Sequence, residues 1–320
     1  MIGIDVGGAN LKVVDDDGAR IHYCPLYEEA PLTDLLEPYA KDGSFQAAVV
    51  MSGELADCFS DKMQGIRFIV DAVREVFPGA MFYGTDAIFH TGAVQQLAAA
   101  NWLASADFLR ERYPDAVLVD MGSTTTDIIP LSMFDRLKGL TDLLRLQRGY
   151  LVYTGMLRTT IPAVLRTVKI DSIETPVSSE YFATSADAHL VLGHIGANEY
   201  SCETPDKKGK TKEAALCRLA RVVCSDLAEI GKKNATGIAA QFWETQRTLI
   251  CNHVESVAGA AGASSVITAG IGSALVAREL GGTDLARELG PVSDALPAYA
   301  VREVALRRNR PVKHYGSKKG

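Results

Sequence analysis

Residues 116–130, AVLVDMGSTTTDIIP, repeat the plan of residues 3–14, GIDVGGANLKVV. Each stretch is an apolar strand ending in Asp-x-Gly, then a small polar turn, then a second apolar run. In that register Asp5 matches Asp120, Gly7 matches Gly122, Asn10 matches Thr125 and Lys12 matches Asp127. Neither turn has the spacing of a G-x-x-x-x-G-K-[ST] loop or a G-x-G-x-x-G fingerprint. One such unit in each half of a 320-residue chain predicts two α/β domains of related topology, facing each other across a central cleft.

Outward from the first turn, Asp15-Asp16-Asp17-Gly18 leads into a third strand near 19–24, and 47–51 (AAVVM) is a further buried strand. Helical spacing covers 61–77 until Pro78-Gly79 ends it, and a short strand follows at 80–83. The Ala-rich stretch 91–112 reads as mostly helical with a break near Ser105. In the second half, helical patterns cover 212–232, 237–258 and 273–280, the last preceded by a strand at 265–269 and the turn Gly270-Ile271-Gly272. The boundary is expected at Tyr113-Pro114-Asp115, giving a first domain over 1–113 and a second over 114–296. The segment 297–320 is expected to return to the first domain as a helix over 297–307, with a basic, frayed tail at 308–320.

With 47% hydrophobic and 22% charged residues, the chain can bury an ordinary globular core. A net charge of −6 does not favour nucleic acid as a partner. No apolar run approaches the ~20 residues needed to span a bilayer. The strand pattern begins at once, without the n-region or h-region of a signal peptide, so a cytoplasmic protein is expected. The six cysteines (24, 58, 202, 217, 224 and 251) form no C-x-x-C pair and read as small hydrophobes. Cys217 and Cys224 are expected to share one face of a helix. The six histidines show no H-E-x-x-H spacing, and zinc is not expected.

The chemistry of the turns is that of anion binding. Gly7-Gly8 and Gly122-Ser123 permit a tight backbone with successive N–H groups exposed, a nest for phosphate oxygens. Asn10, Thr124, Thr125 and Thr126 add short donors, and Lys12 adds a positive charge if it points inward. Asp5 and Asp120 would repel a phosphate unless a bridging Mg²⁺ intervenes, directly or through water. Read alone, a D-x-G-G turn is an ordinary hairpin turn; the matched pair argues for a metal-phosphate site.

Three segments carry a family resemblance: Asp5-Val6-Gly7-Gly8, Asp120 to Asp127 (DMGSTTTD) and Thr268-Ala269-Gly270-Ile271-Gly272. They resemble the phosphate-1, phosphate-2 and adenosine-type loops of the actin/sugar kinase/Hsp70 superfamily, closest to its hydantoinase/oxoprolinase branch. Within that branch, 3–12 (GIDVGGANLK), 52–59 (SGELADCF), 151–155 (LVYTG) and 183–193 (ATSADAHLVLG) resemble the methanofuran-biosynthesis synthase family. The likeness runs in order from residue 3 to about 275. It implies the actin-like ATPase (ribonuclease H-like) duplicated two-domain fold. It also implies a transferase that joins a furanylmethyl diphosphate to the phenol of γ-glutamyltyramine and releases pyrophosphate. Magnesium is then expected and ATP hydrolysis is not.

In that reading Asp5 and Asp120 position Mg²⁺. Gly7, Gly8, Asn10, Gly122, Ser123, Thr124 and Thr125 hold diphosphate oxygens, and Lys12 neutralises the leaving group. The phenol needs a base; Glu54 and Asp57, after the strand ending at Met51, are the first candidates, with Asp57 alternatively capping the next helix. Asp86 and Asp127 are weaker candidates, and Asp127 could simply satisfy the threonine turn. Gly155, Gly270 and Gly272 complete the binding set. Asp187 reads as a helix cap, and 198–212 as a mobile polar loop or a cationic lid. Arg145, Arg148 and Arg158 are candidate partners for substrate carboxylates. The partners are small molecules, with no nucleic acid and no membrane, and with scope for a homo-oligomer. Two other classes stay open: an ATP-dependent small-molecule kinase or oxoprolinase-type enzyme, and a nucleotide-dependent switch, which lacks an evident appendage here.

Overall fold

Every residue of Ile2–Val6 is buried, and the chain turns back at Gly7-Gly8 to lay Asn10–Asp15 antiparallel beside it. The computed structural model describes residues 1–28, 31–40 and 46–308. The expectation for the tail beyond residue 308 lies outside them. The chain forms two compact units, the first made of Met1–Arg112, Phe134–Thr141 and the segment from Ala295 onward, the second of Tyr113–Met133 and Asp142–Asp294.

Elements are numbered along the chain. In the first unit β1 (Ile2–Val6), β2 (Asn10–Asp15) and β3 (Gly18–Tyr23) form an antiparallel meander. β4 (Ala47–Met51) and β5 (Met81–Tyr83) continue it in parallel, and β6 (Phe89–His90) closes the far edge, giving the order β3-β2-β1-β4-β5-β6. β4 is as buried as β1, as expected of central strands covered on both faces. The unit's helices are α1 (Leu32–Leu36), α2 (Lys62–Val76), α3 (Asn101–Leu109), α4 (Phe134–Leu137) and α12 (Leu296–Arg308). Ile66, Ile69 and Val73 of α2 pack on Ile4, Val49 and Phe82 in the core. α12 packs on α3, β1 and β4. Its end is tied down at Asp107, a fully buried carboxylate that accepts from Tyr83 Oη at 2.8 Å, Arg110 Nε at 3.0 Å, Arg307 at 3.2 Å and Arg308 at 3.0 Å.

The expected helical break near Ser105 is not found. α3 runs through Ser105, whose hydroxyl bonds back to Asn101 O at 3.4 Å. The irregular backbone comes earlier, at Ala99, where φ is +47°.

In the second unit β7 (Ala116–Met121), β8 (Thr126–Pro130) and β9 (Leu151–Val152) form the antiparallel meander. β12 (Ser265–Ala269) and β13 (Thr283–Asp284) add in parallel, giving β13-β12-β7-β8-β9. Read from the β9 edge, strand order and directions are those of β3-β2-β1-β4-β5. The chain therefore carries the ribonuclease H-like topology twice, the duplicated plan of the actin-like ATPase fold. α5 (Asp142–Gln147), α6 (Ile161–Val164), the hairpin β10 (Thr167–Ile170) and β11 (Ile173–Pro176), α7 (Ser185–Leu192), α8 (Lys212–Arg221) and α9 (Leu227–Ala261) lie between β8 and β12 in sequence. α10 (Ser273–Leu280) and α11 (Ala286–Leu289) flank β13.

The helix expected over 212–232 is two helices. α8 ends at Arg221, Cys224 takes φ +56°, and Asp226 caps α9 by accepting from Glu229 N at 2.8 Å. Cys217 and Cys224 therefore do not share a helical face. α9 starts before the expected 237 and kinks at Gly231, where φ is +73° and ψ is 161°. The N-cap of α7 is Thr184; Asp187, expected as the cap, lies inside the helix at the third position, where its side chain accepts from Thr184 N at 3.0 Å to complete a capping box. It has a second role: Asp187 and Arg218 are both fully buried and joined by contacts of 2.8 Å (Nε) and 2.7 Å (Nη2). Arg218 also reaches Asp206 Oδ1 at 3.1 Å and Gly209 O at 3.3 Å, which ties the polar segment 198–212 to α8. Among the described residues no helix is long and apolar enough to cross a membrane.

Removing one member of a buried pair strands the other's charge, at a cost of ~3–5 kcal/mol. Arg218→Met is expected to lower the guanidinium unfolding midpoint clearly, whereas Arg221→Met, at a side chain 41% exposed, is expected to change it little. Equal midpoints for the two variants would show that the Asp187–Arg218 pair does not hold this unit together.

Candidate active site

The first turn is closed by Gly7 N donating to Asn10 O at 2.9 Å. Its carbonyls are taken by neighbouring backbone. Val6 O accepts from Ser52 N at 2.9 Å and Gly53 N at 3.1 Å, Gly8 O from Leu26 N at 3.1 Å, and Ala9 O from Cys24 N at 3.0 Å. Bonding of these carbonyls within the protein is what a turn needs if its amides are to receive an anion. Asp5 lies at the end of β1, 3% exposed, and pairs in register with Lys12 on β2. Cross-strand partners share one sheet face, so the ammonium stem stands beside the carboxylate.

The Ser52–Gly53 contacts bring the loop after β4 onto this turn, and Glu54 in that loop is buried, 2% exposed. α2 locks the loop, because a Cβ at Gly65 would collide with Glu54 O. Asp57 is exposed, and the helix cap is Asp61, whose carboxylate accepts from Gln64 N at 2.9 Å. The alternative of Asp57 as cap is therefore set aside: Asp61 has the extended N-cap backbone and Asp57 precedes it by a turn. Asp86 is engaged in its own hairpin, contacting His90 Nε2 at 3.0 Å and accepting from Ile88 N at 3.1 Å.

The second turn repeats the first. Gly122 N donates to Thr125 O at 2.9 Å. Gly122 O accepts from Met156 N at 3.0 Å, and Ser123 O from Leu157 N at 2.9 Å and Arg158 N at 3.0 Å. Gly155 is required for that contact, since a Cβ there would come within 2.7 Å of Gly122 O and of the Thr124 backbone. Gly270, at φ +79°, lies against Asp120 Oδ1, and Gly272 N donates to Met121 O at 3.0 Å. Asp120, Gly122, Ser123, Thr124, Thr125, Gly155, Gly270 and Gly272 thus form one constellation. Behind it, Ser273 Oγ donates to Asp284 Oδ1 at 2.5 Å and contacts Thr268 Oγ1 at 2.8 Å, fixing the start of α10 against β12 and β13.

Asp120 pairs in register with Asp127, as Asp5 does with Lys12. Asp127 does not serve the threonine turn. It is ion-paired with Arg145, 2% exposed, which also donates to Asp142 at 2.8 Å. Arg145 thus has protein carboxylates as partners, a change from its expected role toward a substrate. Thr126, expected among the anion donors, is buried and instead donates to Thr154 O at 2.8 Å. Sequence reasoning missed Gln246 of α9, fully buried, whose amide donates to Thr154 Oγ1 at 2.8 Å and Gly155 O at 3.0 Å. A lone glutamine inside a helical pattern offers no signal for that contact.

Each turn offers one carboxylate beside amides. Among the described residues no three His, Cys, Asp or Glu side chains converge as a metal-binding group. One or two carboxylates with phosphate oxygens and water suit magnesium, whereas zinc takes three or four protein ligands.

The hydantoinase/oxoprolinase family profile matches residues 46–303. A (4-{4-[2-(gamma-L-glutamylamino)ethyl]phenoxymethyl}furan-2-yl)methanamine synthase from Methanocaldococcus jannaschii is 37% identical over 284 residues, 85% of this chain and 86% of the relative. A synthase of the same name from Methanococcus vannielii is 39% identical over 158 residues, 49% of this chain and 71% of the relative. Among solved structures, the activator of 2-hydroxyisocaproyl-CoA dehydratase from Clostridium difficile is 13% identical over 98% of both chains, at a TM-score of 0.41. That likeness is remote and carries no functional weight. The two synthases and the family profile together cover most of the chain, which belongs to the hydantoinase/oxoprolinase family and, within it, to the methanofuran-biosynthesis synthases.

Proposed function

We propose that this chain makes the aryl ether in the product for which its relatives are named. The phenol oxygen of γ-glutamyltyramine attacks the methylene of a furanylmethyl diphosphate. A C–O bond forms to the phenoxy oxygen, the C–O bond to diphosphate breaks, the phenolic proton passes to a carboxylate, and pyrophosphate leaves. The protein is in this reading an alkyl-group transferase of methanofuran biosynthesis. The observation that carries it is the repeated turn whose carbonyls are bonded inward beside a strand-end aspartate, at Asp5 and again at Asp120. Such a turn suits a leaving diphosphate as well as a nucleotide.

Each turn is suited by itself to diphosphate oxygens, through the amide at Gly8 in the first unit and those at Ser123-Thr124 in the second, and Lys12 would balance leaving-group charge at the first. Magnesium, held at the Asp5 turn or the Asp120 turn directly or through water, supplies neutralisation of that charge when bound. Glu54 is the preferred base: it is buried, and its loop rests on the first turn. Removal of the proton matters because a free phenol titrates near pH 10, with about 10 as its unperturbed pKa.

Pure protein mixed with furanylmethyl diphosphate, γ-glutamyltyramine and Mg²⁺ is expected to release one pyrophosphate per ether formed. Chelation should stop it, and Asp5→Asn and Asp120→Asn should each cost about 10²–10³ in kcat, the scale of a lost electrostatic contact. Absence of ether with folded protein, or tight Mg-ATP binding with hydrolysis by calorimetry, would favour an ATP-dependent kinase or oxoprolinase-type reaction instead.

Glu54→Gln is expected to lower kcat by about 10²–10⁴ while leaving KM for the diphosphate near its original value. A variant with the parent's rate and pH profile would remove Glu54 as the base. Asp57→Asn, measured alongside, would then identify the alternative.

A further inference from the structure

Deep in the second unit lies a polar chain that the reaction above does not use. Gln246 Oε1 accepts from His189 Nε2 at 3.0 Å while its Nε2 donates to Thr154 Oγ1 and Gly155 O. These contacts assign the His189 tautomer: Nε2 carries the proton, so Nδ1 accepts from His194 Nδ1 at 2.9 Å. Burial, and His194 beside it, push the His189 imidazole down to about 3, so it is neutral at working pH. Trp243 closes over both rings edge-on, at centroid distances of 5.4 and 5.3 Å.

At the other end the Thr154–Gly155 backbone is held from several sides. Thr154 O accepts from Thr126 Oγ1 at 2.8 Å, Gly155 N donates to Thr159 Oγ1 at 2.9 Å, and Thr159 N donates to Ser185 Oγ at 3.2 Å. That segment leads directly into Met156, Leu157 and Arg158, whose amides consume the carbonyls of Gly122 and Ser123. Were the 154–155 backbone to rotate, those amides would move and the turn's carbonyls would be released toward the anion face. A buried amide with all three bonds made costs little, but one left unsatisfied is expensive, so loss of any one bond is opposed.

We propose that Gln246, oriented by His189, is a positioning residue that keeps the Gly122–Thr125 turn in its anion-receptive form. This rests on the reading that the turn receives diphosphate. Gln246→Met removes all three bonds at similar volume. Gln246→Glu keeps the acceptor for His189 but cannot donate to Thr154 or Gly155. The probe is inorganic pyrophosphate with Mg²⁺, followed by calorimetry, with γ-glutamyltyramine titrated separately and Val254→Ala on the same helix as a packing control.

Both Gln246 variants are expected to weaken pyrophosphate by about tenfold, the worth of one well-placed hydrogen bond. Acceptor affinity should stay within about twofold, a change too small to count as a lost contact. Val254→Ala should lower only thermal stability. Unchanged pyrophosphate affinity in either Gln246 variant overturns the proposal, leaving the network a packing device. If neither variant folds, Thr154→Val removes the acceptor from the other end and is read in the same way. Pyrophosphate binding without ether formation by the parent protein leaves this inference standing and sinks the synthase reading. No pyrophosphate binding by the parent protein sinks both.

Discussion

A backbone turn can receive an anion only if its own carbonyl oxygens are bonded elsewhere. That constraint shapes much of each unit. At the first turn the acceptors are met by Ser52, Gly53, Cys24 and Leu26, which recruits the loop after β4 and the segment after β3. At the second they are met by Met156, Leu157 and Arg158, which recruits the loop after β9. Each set of donors must itself be held in place: α2 braces Glu54 at Gly65, and Gln246 of α9 braces Thr154 and Gly155. Layers of helix behind each sheet therefore serve polarity at the turn as well as burial of the core.

Buried and partly buried carboxylates are handled alike. Asp107 and Asp187, and the partly buried Asp127 beside the second turn, each meet an arginine from another element: Arg307 and Arg308 from α12, Arg218 from α8, Arg145 from α5. Burial by itself would raise the Asp107 pKa. The Tyr83 hydroxyl and Arg110 hold it below the usual carboxylate range, so its stabilisation is present at neutral pH and is lost only as the pH falls through that lowered value. Arginine suits these sites because its fork serves several acceptors at once, as Arg218 does with Asp187, Asp206 and Gly209. The desolvation of both charges offsets much of the attraction in such pairs, so their net contribution to stability is smaller than the cost of removing one partner.

What could be read from the sequence followed from period and punctuation. Strands beside the turns were legible because apolar runs ending in Asp-x-Gly leave few alternatives, and the repeat matched Asp5 with Asp120 and Lys12 with Asp127; the cross-strand register of Asp5 with Lys12 and of Asp120 with Asp127 comes from the structure. Ser105 misled because a serine in an Ala-rich run resembles a break, yet its hydroxyl bonds back onto the helix. Cys224 misled because helical spacing continues past a residue whose backbone has left the helix. Asp57 and Asp61 are equally good cap residues on paper, and only the backbone angles choose between them. The partners of Asp127 and Gln246 come from distant parts of the sequence, and no local pattern reports them.

The two turns differ where their sequences part, and the difference is one of charge. Beside Asp5 stands Lys12, so that cross-strand pair is balanced. Beside Asp120 stands a second carboxylate, Asp127, whose arginine is shared with Asp142. Two carboxylates in register repel each other and would repel any phosphate oxygen placed near them. Arg145 answers one of them at close range and divides its charge with another. In the function proposed above, a hydrated divalent ion at the second turn would lie beside this carboxylate pair and would need no dedicated cage of protein ligands.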